Sequence, residues 1–347
     1  MKICVNLENI AKNADIIRSR LNSGVKLCAV VKANAYGHGL AQVAQYIENK
    51  VDFFAVARLD EALTLRSVGV KKALLVLCSD VGRREAREAA ARDITLTADS
   101  AETAELAAAE GFSVHIKTDS GMNRLGLKDG AELEKVLDRC LALGVDVGGV
   151  YSHFACTMPT NPKAMFAQYK KFCRMASVVR AAYPAALRHI CNTSAALNCP
   201  AFHCDMVRVG QGLYGYCDKK TPSLFAGKSA CASVIETKLV RQGESVGYDM
   251  AFIAERDTPV AVIDCGYGDG LPRNYARGGY VLTKYGKSVI IGNMCMDMCV
   301  IAGAGGLRRG DKAVILGEWG GNSVKADDIA EICGTIPYEI LCGLRNR

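Results

Sequence analysis

The sequence predicts an α/β chain in two parts, an N-terminal (β/α)8 barrel of the TIM type over residues 1–228 and a mostly β-strand domain over 229–347. Two observations carry this. Eight short apolar, β-branched runs alternate with helix-like stretches, and after about Gly227 the helical periodicity gives way to strand-like runs punctuated by glycine. The eight runs are 25–31, 51–57, 73–78, 94–98, 114–117, 147–151, 187–191 and 206–209. Between them lie segments such as AETAELAAAEG (101–111) and AELEKVLDRCLALG (131–144), each closed by a glycine stop. A barrel of this kind places its active site at the C-terminal ends of its strands. The second part reads as strands in SVIETKLV, TPVAVIDCGYG, YVLTKYGKSVIIG, MDMCVIAG and KAVILG.

At 347 residues, 50% hydrophobic and 23% charged, the chain can bury a large core and is not disordered. A net charge of +7, with no run of basic residues interleaved with aromatics, gives no sign of a nucleic-acid partner. The first 21 residues hold no apolar run of signal-peptide length and nothing later approaches a membrane span, so a cytoplasmic protein is expected. Sixteen cysteines, never spaced CxxC, read as small, mostly buried hydrophobes rather than metal ligands or a disulfide scaffold.

Chemistry gathers at the predicted strand ends. Lys32 directly follows the apolar strand LCAVV, where desolvation would lower its amine pKa and make it a Schiff-base nucleophile; on position alone it reads rather as an ordinary solvated rim lysine. KTDSGMNRLG (117–126) follows the strand SVHI and combines turn residues with Lys117 and Arg124. His153 in YSHFA and His189 in RHICNTSAAL each end an apolar strand, as either buried, satisfied histidines or site residues. MVRVGQGLYG carries Arg208 and then Gly210 and Gln211, in the late loops that hold phosphates on this fold.

These segments resemble, in order, the alanine racemase family, and the match runs from NLENIAKN near the start to YEILCGLRNR at the end. The resemblance implies a pyridoxal-phosphate-dependent racemase that interconverts L- and D-alanine by two-base proton exchange, supplies D-alanine for peptidoglycan and works as a homodimer with composite sites. VVKANAYGHG (30–39) is similar to the family's cofactor motif, making Lys32 the cofactor lysine and a catalytic base, with Tyr36 a phosphate ligand. Arg124 matches the arginine that contacts the cofactor's phenolic oxygen and the substrate carboxylate, and Lys117 a lysine often carbamylated beside it. His153 lies beneath the cofactor and His189 helps hold Arg208, which faces the pyridine nitrogen. A guanidinium cannot accept the proton that would make the ring a strong electron sink, which favours simple proton exchange. Gly210, Gln211 and a hydroxyl from Thr193 or Ser194, with Thr193 favoured, would hold the phosphate.

Racemisation needs a base on each face of the α-carbon. By resemblance the second is Tyr248 in SVGYDMAF, reaching into the other subunit, although a tyrosine in a β domain is on residue type alone a packing residue. Met296 and Asp297 in NMCMDM match substrate contacts, and Tyr267 and Arg273 in GYGDGLPR and Tyr338 in PYEILC match corridor and phosphate contacts; Asp269 and Arg273 read equally as a solvated loop. No metal is implied. Three positions depart from the family pattern: Asn293 replaces a corridor arginine, Met158 an aspartate and Gln211 an aliphatic residue. Tyr338 implies a small pocket that favours alanine over serine, with a serine or broad-specificity racemase the alternative. A non-enzymatic pyridoxal-phosphate-binding protein lacks a second domain like this one, and the related decarboxylases carry a glutamate where Arg208 stands.

Overall fold

The computed structural model describes residues 1–128, 130–156, 160–217 and 224–346. The chain divides into two units: 7–35 with 39–225, and 1–6 with 36–38 and 226–347.

In the first unit, β2 (Lys26–Val30), β3 (Phe53–Val56), β4 (Ala73–Val76), β5 (Ile94–Ala98), β6 (Val114–Lys117), β7 (Val147–Tyr151), β8 (Leu187–His189) and β9 (Met206–Val209) form one parallel sheet, while β1 (Lys2–Val5) belongs to the other unit. β2 pairs with both β3 and β9, and backbone bonds from Asp205 to Arg188 and from Arg208 to Cys191 join β9 to β8 and close the ring. The eight expected strands are all present, shorter at several ends by one or two residues. Helices 101–110 and 131–143 stop at Gly111 and Gly144, both in the left-handed region at φ 81° and 66°, as their stop signals predict.

Register explains why the candidate site lies where it does. Lys117 of β6 is opposite Tyr151 of β7, which is opposite His189 of β8, so three neighbouring strands present these side chains at one level at their C-terminal ends. One level down, His115 is opposite Gly149.

In the second unit every strand pairing is antiparallel. After β1 come β10 (Lys228–Val240), β11 (Ser245–Val246), β12 (Phe252–Ile253), β13 (Thr258–Ile263), β14 (Tyr280–Thr283), β15 (Gly286–Ile291), β16 (Cys299–Ala302), β17 (Lys312–Trp319) and β18 (Asn322–Val324). The pairings β10–β13–β16–β15–β14–β17–β10 complete a six-stranded circuit, made possible by the 13-residue β10 and its bulge between Val234 and Glu236. β1 pairs with β10 from Lys2–Cys231 to Val5–Lys228. The sequence reading left this segment with the barrel; its alternating burial and its partner place it in the second unit.

The cysteines do not follow the expectation of general burial. Six of the sixteen are buried and three are exposed, and all are free thiols. No group of three His, Cys, Asp or Glu side chains suits a metal ion among the described residues, and no helix there is long and apolar enough to cross a membrane.

Candidate active site

Lys32 follows β2 and opens a turn unlike any other among the described residues. Ala33, Asn34, Ala35 and Tyr36 have φ of 53°, 54°, 52° and 53°, and Gly37 continues at 74°. Four successive side-chain-bearing residues in the left-handed region cost about 1–2 kcal/mol each, so the surroundings must hold the turn in place. Glu61 does part of this: one carboxylate oxygen accepts from Ala33 N–H at 2.6 Å, and the other from Ala57 and Arg58 N–H at 2.9 and 3.2 Å. The Asn34 side chain accepts from Leu40 N–H at 2.8 Å. Tyr214 donates to Val30 O at 3.1 Å, tying the loop after Gly210 to the strand that precedes Lys32.

Arg208 is the centre of the barrel cluster. It is 5% exposed, yet its acceptors are all neutral: His189 Nδ1 at 2.7 Å, His189 O at 3.0 Å, Ser152 O at 2.6 Å and His153 Nδ1 at 3.2 Å. It also lies 5.0 Å over the Tyr151 ring, which stacks on His189. Burial, followed by the charges of Arg208, Lys117, Arg124 and Lys32, pushes the His153 imidazole well below its ordinary ionisation, so these four cations and His153 form one electrostatic neighbourhood.

Lys117 is buried, 4.7 Å over the Tyr151 ring and 3.5 Å from Thr118 O. Burial and then the charges of Arg208 and Arg124 lower its amine to about 7, so near neutrality much of it is uncharged. Arg124 is exposed on the following loop. Asp119 organises that loop, its Oδ1 accepting from Gly121, Met122 and Asn123 N–H at 2.8, 2.9 and 3.1 Å. Burial works to raise this carboxyl, but these N–H groups and Lys128 outweigh it and hold it at about 2. The segment is thus a built turn and not merely a solvated one.

Thr193 Oγ1 accepts from Gly210 and Gly212 N–H, both at 3.3 Å, which joins the two loops expected to hold a phosphate. Sequence reading gave Thr193 a ligand's role and missed this structural one. Ser194 lies beside it, buried, and Gln211 is half-buried. A Cβ on Gly212 would meet Thr193 Cγ2 at 2.7 Å, so only glycine fits there.

The remaining expected residues belong to the second unit. Tyr36 and Tyr338 pair with ring centroids 5.7 Å apart, and Tyr36 is buried, which pushes its phenol up. Tyr248 is 67% exposed and Met296 is 52% exposed; Asp297, Arg273 and Tyr267 are also exposed. Gly268 N–H donates to Met296 O at 2.8 Å and Tyr267 N–H to Cys295 O at 3.2 Å, so the Tyr267 and Met296 loops are one assembly. Asp269, which the sequence left between a site and a solvated loop, is buried and accepts from Gly266 N–H at 3.0 Å.

Asn293, the departure in the corridor, has a clear task. Its amide donates to Tyr248 O at 3.0 Å and to the Asp249 carboxylate at 3.2 Å, bracing a turn in which Asp249 and Met250 have φ of 60° and 49°. Met158 lies outside the described residues.

With this geometry in place, comparison with known proteins is direct. Residues 5–218 match the N-terminal domain of alanine racemase, and residues 229–347 match its C-terminal domain. Alanine racemase 2 of Caldanaerobacter subterraneus subsp. tengcongensis is 35% identical, over 100% of this chain and 93% of the relative. The alanine racemase of Streptococcus equi subsp. zooepidemicus is also 35% identical, over 99% of this chain and 95% of its own. The crystal structure of alanine racemase from Bacillus anthracis with bound L-Ala-P superposes with a TM-score of 0.91 at 30% identity, covering 99% of this chain and 92% of that one. That from Streptomyces coelicolor A3(2) gives 0.91 at 28% identity, covering 99% and 96%. The chain belongs to the alanine racemase family.

Proposed function

We propose that this member of the alanine racemase family interconverts L- and D-alanine at a site where Lys32 holds pyridoxal phosphate. The observation that carries the reading is Arg208, a buried guanidinium held only by imidazole and carbonyl acceptors. Such a group can donate to a ring nitrogen but cannot take up or supply a proton there. The other residues fit the same group: an amine at the end of an apolar strand, and a loop after Gly210 in which Gly212 packs too closely on Thr193 for a Cβ. When bound, pyridoxal phosphate acts as an electron sink that acidifies the α-C–H of the amino acid.

In this reading the phosphate is held by Tyr36, Ser194, Gly210, Gln211 and Tyr338, with Thr193 bracing that loop. Arg124 and, from a second copy of the chain, the Met296 N–H bind the substrate carboxylate, and Tyr267 and Asp297 line the approach. Lys32 moves the α-proton on one face of the α-carbon and Tyr248 from a second copy of the chain moves it on the other. His153, whose Nδ1 accepts from Arg208, belongs to the polar network that would surround the cofactor's ring. The nearly neutral Lys117 amine suits reaction with carbon dioxide, and the resulting carbamate would counter the charge of Arg124. Tyr248, Met250, Met296 and Met298, all exposed, support a homodimer that covers them. A cytoplasmic enzyme supplying D-alanine to peptidoglycan is the role this activity fits.

The test is chiral chromatography of the purified protein after incubation with L-alanine and, separately, L-serine. Alanine conversion well above serine is expected, and no conversion of either would overturn the reading. Sedimentation should show a dimer; an active monomer would remove the two-copy site.

A further inference from the structure

One level below Lys117, Tyr151 and His189 lies His115, only 2% exposed, two residues before Lys117 on β6. A Cβ on Gly149 would come within 2.8 Å of His115 Cε1 and Nδ1, and one on Gly148 within 3.3 Å of its Nε2. Two consecutive glycines inside a strand weaken it. Here they clear a space for one imidazole.

His115 Nδ1 is 2.9 Å from His189 Nε2, and His189 Nδ1 is 2.7 Å from Arg208 Nη1. Arginine has donors and no acceptor, so the proton positions follow. His189 Nδ1 must accept, which leaves its single proton on Nε2. His115 Nδ1 must accept that proton's hydrogen bond, which leaves the His115 proton on Nε2. A second proton on His189 would set an N–H against the guanidinium, and one on His115 would set an N–H against His189. Burial first and the Arg208 charge second hold His115 ionisation down at about 3 and that of His189 well below its ordinary value. Around the pair stand Tyr151, stacked 4.9 Å from His189, Phe53, 6.3 Å from His115, and Lys117, whose charge also disfavours protonated His189.

We propose that His115 is a positioning residue for Arg208: as the last acceptor in the chain Arg208–His189–His115, it satisfies the His189 Nε2 proton and keeps the Nδ1 lone pair on the guanidinium. Its importance for turnover rests on the reading of Arg208 as the partner of the cofactor's ring nitrogen. Without that acceptor the buried N–H of His189 is orphaned, and relief comes from rotating the ring, which takes Nδ1 off Arg208.

A space-filling role and a positioning role rank two substitutions in opposite order. His115→Leu keeps volume and loses the acceptor; His115→Asn loses volume but keeps an oxygen near the Nδ1 position. The first readout is the nitrogen-15 spectrum of histidine-labelled full-length protein at neutral pH, which requires no turnover. In the unsubstituted protein His115 and His189 should both be neutral and protonated on Nε2; either one protonated on Nδ1 overturns the proposal, even if the variants fail to fold. His115→Asn should retain the His189 pattern and His115→Leu should lose it. In steady-state kinetics His115→Leu should lower kcat about tenfold with KM within about twofold, and His115→Asn should stay within about threefold of the unsubstituted enzyme. The reverse ranking, or a Leu variant with unchanged His189 signals, overturns the proposal. An unsubstituted protein that racemises nothing would refute the functional reading instead, and the spectra would still decide the role of His115.

Discussion

The two units carry their functional candidates in opposite ways. In the barrel, Arg208, Lys117 and His189 are buried, with Arg208 tied to the His189 ring and to the carbonyls of His189 and Ser152. In the β unit, Tyr248 and Met296 stand on exposed turns held from behind by Asn293 and by the Tyr267 loop. The barrel finishes its part of the site by its own packing. The β unit presents a pair of loops with exposed large side chains, Tyr248, Met250, Met296 and Met298.

The contrast breaks most sharply at Tyr248, the proposed second base. Tyr248→Phe should cut kcat for L-to-D or D-to-L conversion by about 10²- to 10⁴-fold without lowering the melting temperature, because the ring is outside the monomer's core. A rate within twofold of the starting enzyme would remove Tyr248 from the chemistry. In the barrel, Arg208→Glu should instead damage both function and fold, since His189 and His153 lose their donor; expected are at least a tenfold fall in kcat and new side products detectable by chromatography. Unchanged rates with clean products would defeat the electron-sink argument.

Asn293→Ala tests whether the exposed turn is braced by that one amide. A roughly tenfold loss of kcat with little change in melting temperature is expected; an equal loss of both would mean the residue serves the fold. For Lys117, the pH dependence follows from its lowered amine. The amine loses its proton as pH rises through about 7, so the carbamate formed in carbon-13-labelled bicarbonate should grow between pH 6 and 8. A signal that falls over that interval would contradict the assignment. The smallest effect should come from Ala33→Gly, which lets the turn after Lys32 take its positive φ without strain and should raise stability by about 1 kcal/mol. A lower melting temperature would show that the turn is not strained.

The fold was largely legible because barrel strands and their glycine-stopped helices write their period into the sequence. The positions at strand ends, such as Lys117, Arg208 and His189, were legible for the same reason. What escaped had no period. Ala33, Ala35 and Tyr36 carry no signal for a left-handed backbone, and Glu61, which holds that turn, sits in a helix remote in sequence. β1 is four residues at the head of the chain whose partner lies more than 220 residues away. His115 looked like one more residue in an apolar strand, although the paired glycines of VGGVY were a visible sign that something must approach β7 closely.

That first strand also sets an order of events. Lys2–Val5 precedes the barrel in the sequence, yet the strand it pairs with, β10, is synthesised only after the whole barrel. The barrel residues, 7–35 and 39–225, can form while the pieces of the β unit before and after them wait. Proteins stalled or truncated just after the barrel should therefore carry a loose amino terminus, open to proteolysis, on an otherwise folded body. Removing residues 1–6 from the complete chain should leave the barrel intact and open one edge of β10.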